Sequence, residues 1–155
     1  MRKVNEQAFN QPNEAALVDA LRTAADPIVS LVAVDNEHIV GHILFSPVRI
    51  EDDDSGSLAM GLAPMAVLPG YQRQGVGSEM VRAGLNECQR IGCTVVVVLG
   101  HPEYYPRFGF IPASRKGLRS EYPVPDEVFM VLELEPGALG SRRGLIKYRP
   151  EFATA

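Results

Sequence analysis

The sequence predicts an α/β domain: a mixed, twisted β-sheet with helices on both faces. Three observations predict it. The first is a strand, a Gly-rich turn and a helix over residues 58–91. An apolar stretch from Leu58 to Val67 breaks at Pro69-Gly70, and Gln72-Arg73-Gln74-Gly75-Val76-Gly77 then opens a helical pattern. The second is the continuous β-branched run Thr94-Val95-Val96-Val97-Val98-Leu99, which reads as a strand buried on both faces. Strand, helix and strand in this order close as a right-handed parallel crossover, so the two strands should be parallel neighbours. The third is an antiparallel meander ahead of them. Apolar runs at residues 28–34 and 39–50 flank the turn Asp35-Asn36-Glu37-His38. A sheet that switches from antiparallel to parallel carries helices on both faces.

The remaining elements follow in order. Residues 1–11 are polar, with Val4 and Phe9 as apolar points, and read as a helix end. Asn13 is placed to cap the next helix, whose stripe is Ala16, Leu17, Ala20 and Leu21; Pro27 follows its stop. Pro47, late in the 39–50 strand, marks a bend or a sheet edge. Residues 51–57 form a charged turn whose Glu51-Asp52-Asp53-Asp54 run reads as solvated. In the helix after the Gly-rich turn, Gly77, Val81, Gly84, Leu85 and Cys88 share one face. Its two glycines allow close packing on a sheet, and Gly92 ends it. Residues 102–107 read as a short helix, 108–110 as a return to strand, 112–125 as a basic loop and 128–134 as a strand. From Pro136 the chain reads as a tail. The expected organisation is one domain over residues 1–155, with 138–155 as a C-terminal tail.

Composition excludes several classes. The chain has 155 residues, is 46% hydrophobic and 22% charged, and carries a net charge of −4. No Lys/Arg run marks a nucleic-acid face. The longest apolar run is too short to span a membrane. The N-terminus has no signal-peptide core, so the expected location is the cytoplasm. Cys88 and Cys93 read as two buried thiols. His38, His42 and His101 show no zinc-ligand spacing with them, so no metal is expected.

The Gly-rich turn carries the chemistry. A helix that starts there points unpaired N–H groups outward, and its dipole favours negative charge. Glycines let a ligand approach the backbone. The turn is therefore an expected phosphate or pyrophosphate site, with Arg73 as a mobile cation beside it. It is not a P-loop, because no lysine precedes Ser78. It is not a dinucleotide fingerprint either, because Met80 stands where the third glycine belongs.

The stretch resembles instead the acetyl-coenzyme A loop of the GNAT superfamily of N-acetyltransferases. That loop reads Gln/Arg-x-x-Gly-x-Gly/Ala, after a strand that ends in an apolar residue, a spacer and proline. Here Val67-Leu68-Pro69 leads into Gln72 through Gly77. A second stretch, Tyr104-Tyr105-Pro106-Arg107-Phe108-Gly109-Phe110, resembles the other GNAT signature, in which a tyrosine stands four residues before Gly-Phe. Tyr105 occupies that position. The wording from Leu99 onward resembles a bacterial subgroup in which Leu-Gly-x-Pro-x-Tyr-Tyr-x-x-Phe-Gly-Phe recurs. The resemblance covers residues from about 31 to 152. One departure is that the family usually opens with a strand before its first helix. Here residues 1–4 precede a segment resembling the later part of that helix, so the first strand is expected to be missing or unusual.

The resemblance implies a GNAT fold and an enzyme that moves acetyl from acetyl-CoA to a primary amine by direct attack. It implies that backbone N–H groups near Met65, Ala66 and Val67 hold the pantetheine arm, one facing the thioester oxygen. Loop amides of Arg73, Gln74, Gly75, Val76, Gly77 and Ser78 would hold the pyrophosphate. Tyr105 would be the general acid toward the departing thiolate; tyrosine and thiol titrate at about 10 and about 8.5, close enough for the transfer. For the base, His101, Glu103, His42 and water all stay open, and the histidines read more readily as packed side chains. The acceptor would be a small molecule or a peptide, recognised by residues 1–26 and 111–127. Family analogy implies a homodimer. Two other readings fit the same residues: a non-catalytic acyl-CoA-binding module, and a nucleotide-binding domain that prefers ATP or NAD.

Overall fold

The computed structural model describes residues 12–24, 27–51, 57–140 and 142–154. The helix end read at residues 1–11, and Asp52, Asp53 and Asp54, lie outside them. Helix α1 spans Pro12–Ala24, followed by strands β1 (Val29–Asp35), β2 (His38–Ile50) and β3 (Leu58–Val67). Helix α2 (Val76–Arg90) leads to β4 (Cys93–Leu99), β5 (Ile111–Pro112), β6 (Leu118–Ser120), β7 (Phe129–Glu133) and β8 (Gly144–Lys147). The sheet runs β5-β7-β4-β3-β2-β8-β6, and β1 also pairs with β2.

Local chemistry explains most boundaries. Helix α1 starts at Pro12, one residue before the expected cap Asn13, because proline suits a first position whose N–H has no partner. Of its expected stripe, Leu17 and Leu21 are buried against Leu44, while Ala16 and Ala20 stay exposed. The β1–β2 hairpin turns on Asn36 (φ 50°) and Glu37 (φ 67°), the double left-handed geometry of a two-residue hairpin. Pro47 sits in a gap along one edge of β2. Pairing with β1 ends at Phe45 and pairing with β8 starts at Arg49, so a residue without an N–H is tolerated there.

Strand alternation assigns the faces. On β2, Ile43 and Phe45 enter the core under α2, while Leu44 meets α1 on the opposite face. On β4, Val96 and Val98 join the α2 core; Val95 and Val97 join a second core with Leu118, Phe129, Leu139 and Ile146. β4 is thus buried on both faces and lies parallel to β3, as its β-branched run predicts. Cys88 and Cys93, at the α2–β4 junction, are buried free thiols. Among the described residues, no helix is long and apolar enough to cross a membrane.

The chain departs from expectation in its last third. Residues 138–155, read as a tail, contribute β8, bury Leu139 and Ile146, and set Phe152 against α1. β8 is only four residues long, too short to show a period of two. The 112–125 loop contains β6, which pairs parallel with β8. The strand expected at 108–110 is instead the two-residue β5, and the short helix is a 3-10 turn over Tyr105–Phe108.

Gly84 sets how closely α2 approaches the sheet. An added Cβ would lie 2.2 Å from Phe45 Cε1, on a ring with no exposed surface. Gly77 has no such role, since its Cβ would meet nothing nearer than the Tyr104 hydroxyl at 3.4 Å. Replacing glycine by alanine inside a helix gains about 1 kcal/mol, whereas overpacking a rigid core costs about 1–3 kcal/mol. At 2.2 Å the clash wins. Gly84→Ala should lower the thermal midpoint by several degrees, whereas Gly70→Ala, with nothing within 4 Å of its Cβ, should leave it unchanged. Equal midpoints in a melting comparison would show that α2 slides freely on the sheet.

Candidate active site

The site begins where two parallel strands part. β3 pairs with β4 only from Leu58 to Leu62, opposite Cys93 to Val98. Beyond that, β4 stays with β7 through the Leu99–Phe129 pair, and β3 stays with β2. Between the Ile43–Met65 and Phe45–Leu62 pairs, β2 advances two residues and β3 three. The extra residue is a bulge, which bends β3 away from β4. Register then decides which amides face the gap. The Leu68 N–H donates to the Val40 carbonyl at 2.9 Å. Alternation turns Ala66 toward β2 as well and points the N–H groups of Met65 and Val67 at the gap. Of the three residues expected to hold a ligand, Met65 and Val67 turn their N–H groups to the gap, and Ala66 turns its own to β2.

The loop that follows is braced from within. Gln72 Nε2 donates to the Val67 carbonyl at 2.9 Å, and Gln74 Nε2 to the Gly70 carbonyl at 3.0 Å. The Tyr71 hydroxyl donates to Asp35 at 2.9 Å and ties the loop to the β1–β2 hairpin. Arg73 (φ 65°) and Gly75 (φ 85°) are both left-handed. The first helical backbone bond runs from Glu79 N–H to the Gly75 carbonyl, and no side chain caps the helix. The N–H groups of Val76, Gly77 and Ser78 are therefore left open, at the positive end of the α2 dipole. Gly75 is required by its φ. Gly77 has an ordinary φ and no clash waiting for a Cβ, so its glycine serves to leave backbone bare.

Two adjacent tyrosines point to different places. Tyr105 packs its ring against Tyr104, Phe108 and Phe110, with centroids 5.0, 6.3 and 5.7 Å away, and over Gly100. It is 6% exposed, and burial, helped by Tyr104, pushes its hydroxyl up to about 12. That hydroxyl has no hydrogen-bond partner among the described residues, yet it is not sealed from solvent as Ser46 Oγ is. Tyr104 is half-buried, and its hydroxyl lies 2.9 Å from Ser78 Oγ in the first turn of α2. Sequence reasoning chose Tyr105 and missed Tyr104. The available signal was the tyrosine doublet itself, since consecutive side chains on a short turn diverge.

The expected bases separate just as clearly. His42 has no exposed surface, and its Nε2 lies 3.1 Å from Ser30 Oγ, which accepts from Arg22 at 2.8 Å. Burial, then the Arg22 charge, lowers its pKa to about 4, which favours the neutral ring at pH 7. His101 and Glu103 are exposed on the turn before Tyr105. Glu51 meets Arg119 at 3.6 Å in solvent, as a charged turn does. A separate cavity of about 540 Å³ between β1 and α2 touches Gln74 and Val76 but none of Met65, Ser78, Tyr104 or Tyr105.

A family model described as an acetyltransferase (GNAT) domain matches residues 1–113. The chain belongs to the GNAT acetyltransferase family. This GNAT chain is 42% identical over 130 residues to the uncharacterized N-acetyltransferase YjhQ of Escherichia coli K12, covering 82% of itself and 72% of that protein. It is 36% identical over 147 residues to the uncharacterized N-acetyltransferase YhbS of the same strain, covering 94% and 87%. The crystal structure of E. coli YhbS in complex with CoA superposes with a TM-score of 0.90 at 34% identity, over 98% of this chain and 84% of that one. A GNAT family acetyltransferase from Brucella melitensis, in complex with acetyl-CoA, gives 0.78 at 34% identity, over 97% and 88%. The expected GNAT fold is therefore the fold of this acetyltransferase.

His42 supplies a pH test of the GNAT scaffold. Its folded pKa near 4 lies below the unfolded value of 6.5, so its contribution is complete above pH 6.5 and is lost as pH falls through 4. The loss should reach at most about 3 kcal/mol. Denaturant melts of wild type should weaken over that window, and His42→Gln should flatten the slope. Parallel pH profiles for the two proteins would contradict a buried neutral histidine.

Proposed function

We propose that this GNAT acetyltransferase moves an acetyl group from acetyl-CoA to a primary amine of a small molecule or peptide, by direct attack of the amine on the thioester. One observation carries the reading: the amides of Met65 and Val67 face the gap between β3 and β4, and the helix start with the open amides of Val76, Gly77 and Ser78 stands beside Met65, 3.7 Å from where a Gly77 Cβ would lie. An acyl-CoA needs anion recognition at its pyrophosphate and strand-like pairing along its pantetheine amides, and the helix start and the gap beside it offer both. The CoA and acetyl-CoA held by two relatives of 34% identity support it. The single path of neighbouring strands from β5 to β6 supports one catalytic domain across the chain.

Each group then has a role. Amides from Arg73 to Ser78, braced by Gln72 and Gln74, bind the pyrophosphate, and the Arg73 side chain adds charge. Met65 and Val67 pair with the pantetheine arm; one of them donates to the developing oxyanion. Ala66 holds that strand on β2. Tyr105 donates to the departing thiolate. Its raised pKa keeps it protonated at neutral pH. The dry surroundings that raise the phenol also raise a thiol beside it, so the two stay matched. With His42 sealed, the amine's proton leaves to water or through His101 or Glu103. The reaction needs no metal ion, and we place it in the cytoplasm with its acyl donor.

Thermal unfolding with acetyl-CoA tests the binding half. A ligand at about 100 times its dissociation constant adds about 2.7 kcal/mol, which should raise the midpoint by several degrees. ATP and NAD should not; an equal shift by either would favour a general nucleotide site. A panel of amines tests the chemistry, and binding without acetyl transfer to any amine would favour a non-catalytic module. Tyr105→Phe should lower kcat by about a hundredfold or more, the usual scale for a lost general acid, with acetyl-CoA affinity nearly intact. An unchanged kcat would remove Tyr105 from the mechanism.

A further inference from the structure

We propose that Arg82 and Arg107 form a site for a phosphomonoester, the 3′-phosphate of coenzyme A, and that the protein thereby distinguishes coenzyme A from its 3′-dephospho form. The inference rests on the acetyl-CoA reading above and concerns a part of the ligand that the Gly-rich loop does not reach.

Four observations carry it. The Arg107 guanidinium lies over the Tyr104 ring at 4.6 Å, and the Arg82 guanidinium over the Phe108 ring at 5.3 Å. Those rings meet edge to face at 5.3 Å, so both cations rest on one aromatic platform. The platform is fixed to the phosphate end of α2, because the Tyr104 hydroxyl bonds Ser78 Oγ and Arg82 follows Ser78 by one helical turn. Finally, neither arginine has a carboxylate partner among the described residues. Arg90, Arg119 and Arg149 do, on Glu87, Glu51 and Glu151. Glu79 and Glu103 stand three and four residues from Arg82 and Arg107 in sequence, yet neither forms an ion pair with them.

A guanidinium stacked on a ring keeps its in-plane N–H fork free, and that fork matches two phosphate oxygens. Stacking also limits the rotamers a long side chain would otherwise lose on binding. The demand for such a site is set by charge. The chain carries a net −4, and a phosphomonoester adds about two negative charges at neutral pH. A polyanion therefore meets overall repulsion unless cations stand where its phosphates land. The loop supplies Arg73 for the pyrophosphate, and the Tyr104–Phe108 platform supplies the other pair.

Calorimetric titration of the full chain with coenzyme A and with 3′-dephospho-coenzyme A tests this. Wild type should bind coenzyme A about tenfold or more tightly than the dephospho form, the scale of one or two charge-assisted hydrogen bonds. In the Arg82→Gln, Arg107→Gln double variant the ratio should fall to about two, through lost affinity for coenzyme A alone. Both side chains are exposed, so its melting midpoint should match wild type. Arg107→Lys should restore only part of the ratio, because it returns charge without the fork. Equal affinities in wild type, or a ratio that survives the double variant, would overturn the inference and leave the acetyl-CoA reading standing. Binding of neither form would overturn both.

Discussion

The parting of β3 and β4 governs the rest of the structure. A continuous sheet pairs every interior amide and offers a ligand nothing. A sheet that opens in its middle leaves donors without partners, and a buried donor left unpaired costs about 1–3 kcal/mol. The gap is therefore stable only if it faces water or a ligand. The bulge opposite Ile43 and Phe45 makes the opening, and β2 and β7 hold the two diverging strands from outside. The β-branched run of β4 matters for that reason. Sealed on both faces and paired with β3, Val95 through Val98 anchor the closed end from which the gap opens at Leu99.

Helix α2 must then end at that gap and at no other depth. Gly84 against Phe45 fixes its distance from the sheet, and Gly75 fixes the turn that starts it. A left-handed Arg73 is an unfavourable conformation, of the kind that costs about 1–3 kcal/mol and persists where surroundings over-determine it. Gln72 and Gln74 do so by donating into the loop's own carbonyls. The amides stay unused because the side chains satisfy carbonyls and leave the N–H groups open.

Much of this was legible in the residues because it is encoded locally. The Gly-rich turn, the α2 stripe and the β4 run each carry a period or spacing within one element. The hairpin at Asn36-Glu37 and the tolerance of Pro47 at an edge were legible for the same reason. What stayed hidden depends on partners distant in sequence. Leu118, Leu139 and Ile146 become core only because β6 pairs with β8 and β8 with β2, and neither strand exceeds four residues. Ala66 differs from Met65 and Val67 only through its register on β2. Gly77 and Gly84 look alike on a helical wheel and differ because Phe45 lies under one of them. That Ser30 and Arg22 stand beside His42 could not be read from its place on a strand.

The tyrosine doublet shows how one short turn can serve two environments. Tyr105 faces inward, where Gly100 leaves room for its ring; a Cβ there would stand 2.3 Å from Tyr105 Cε2. Gly100 thus sets the depth of the phenol, and depth sets its proton affinity by desolvation. Tyr104 faces outward, onto Ser78 and the start of α2. The turn is rigid because Tyr104, Tyr105 and Phe108 pack on one another and on Phe110. Rigidity couples the two ends. A shift of the ring over Gly100 disturbs the Tyr104 hydroxyl at Ser78, so the depth of Tyr105 and the contact at the start of α2 rest on the same few aromatic contacts.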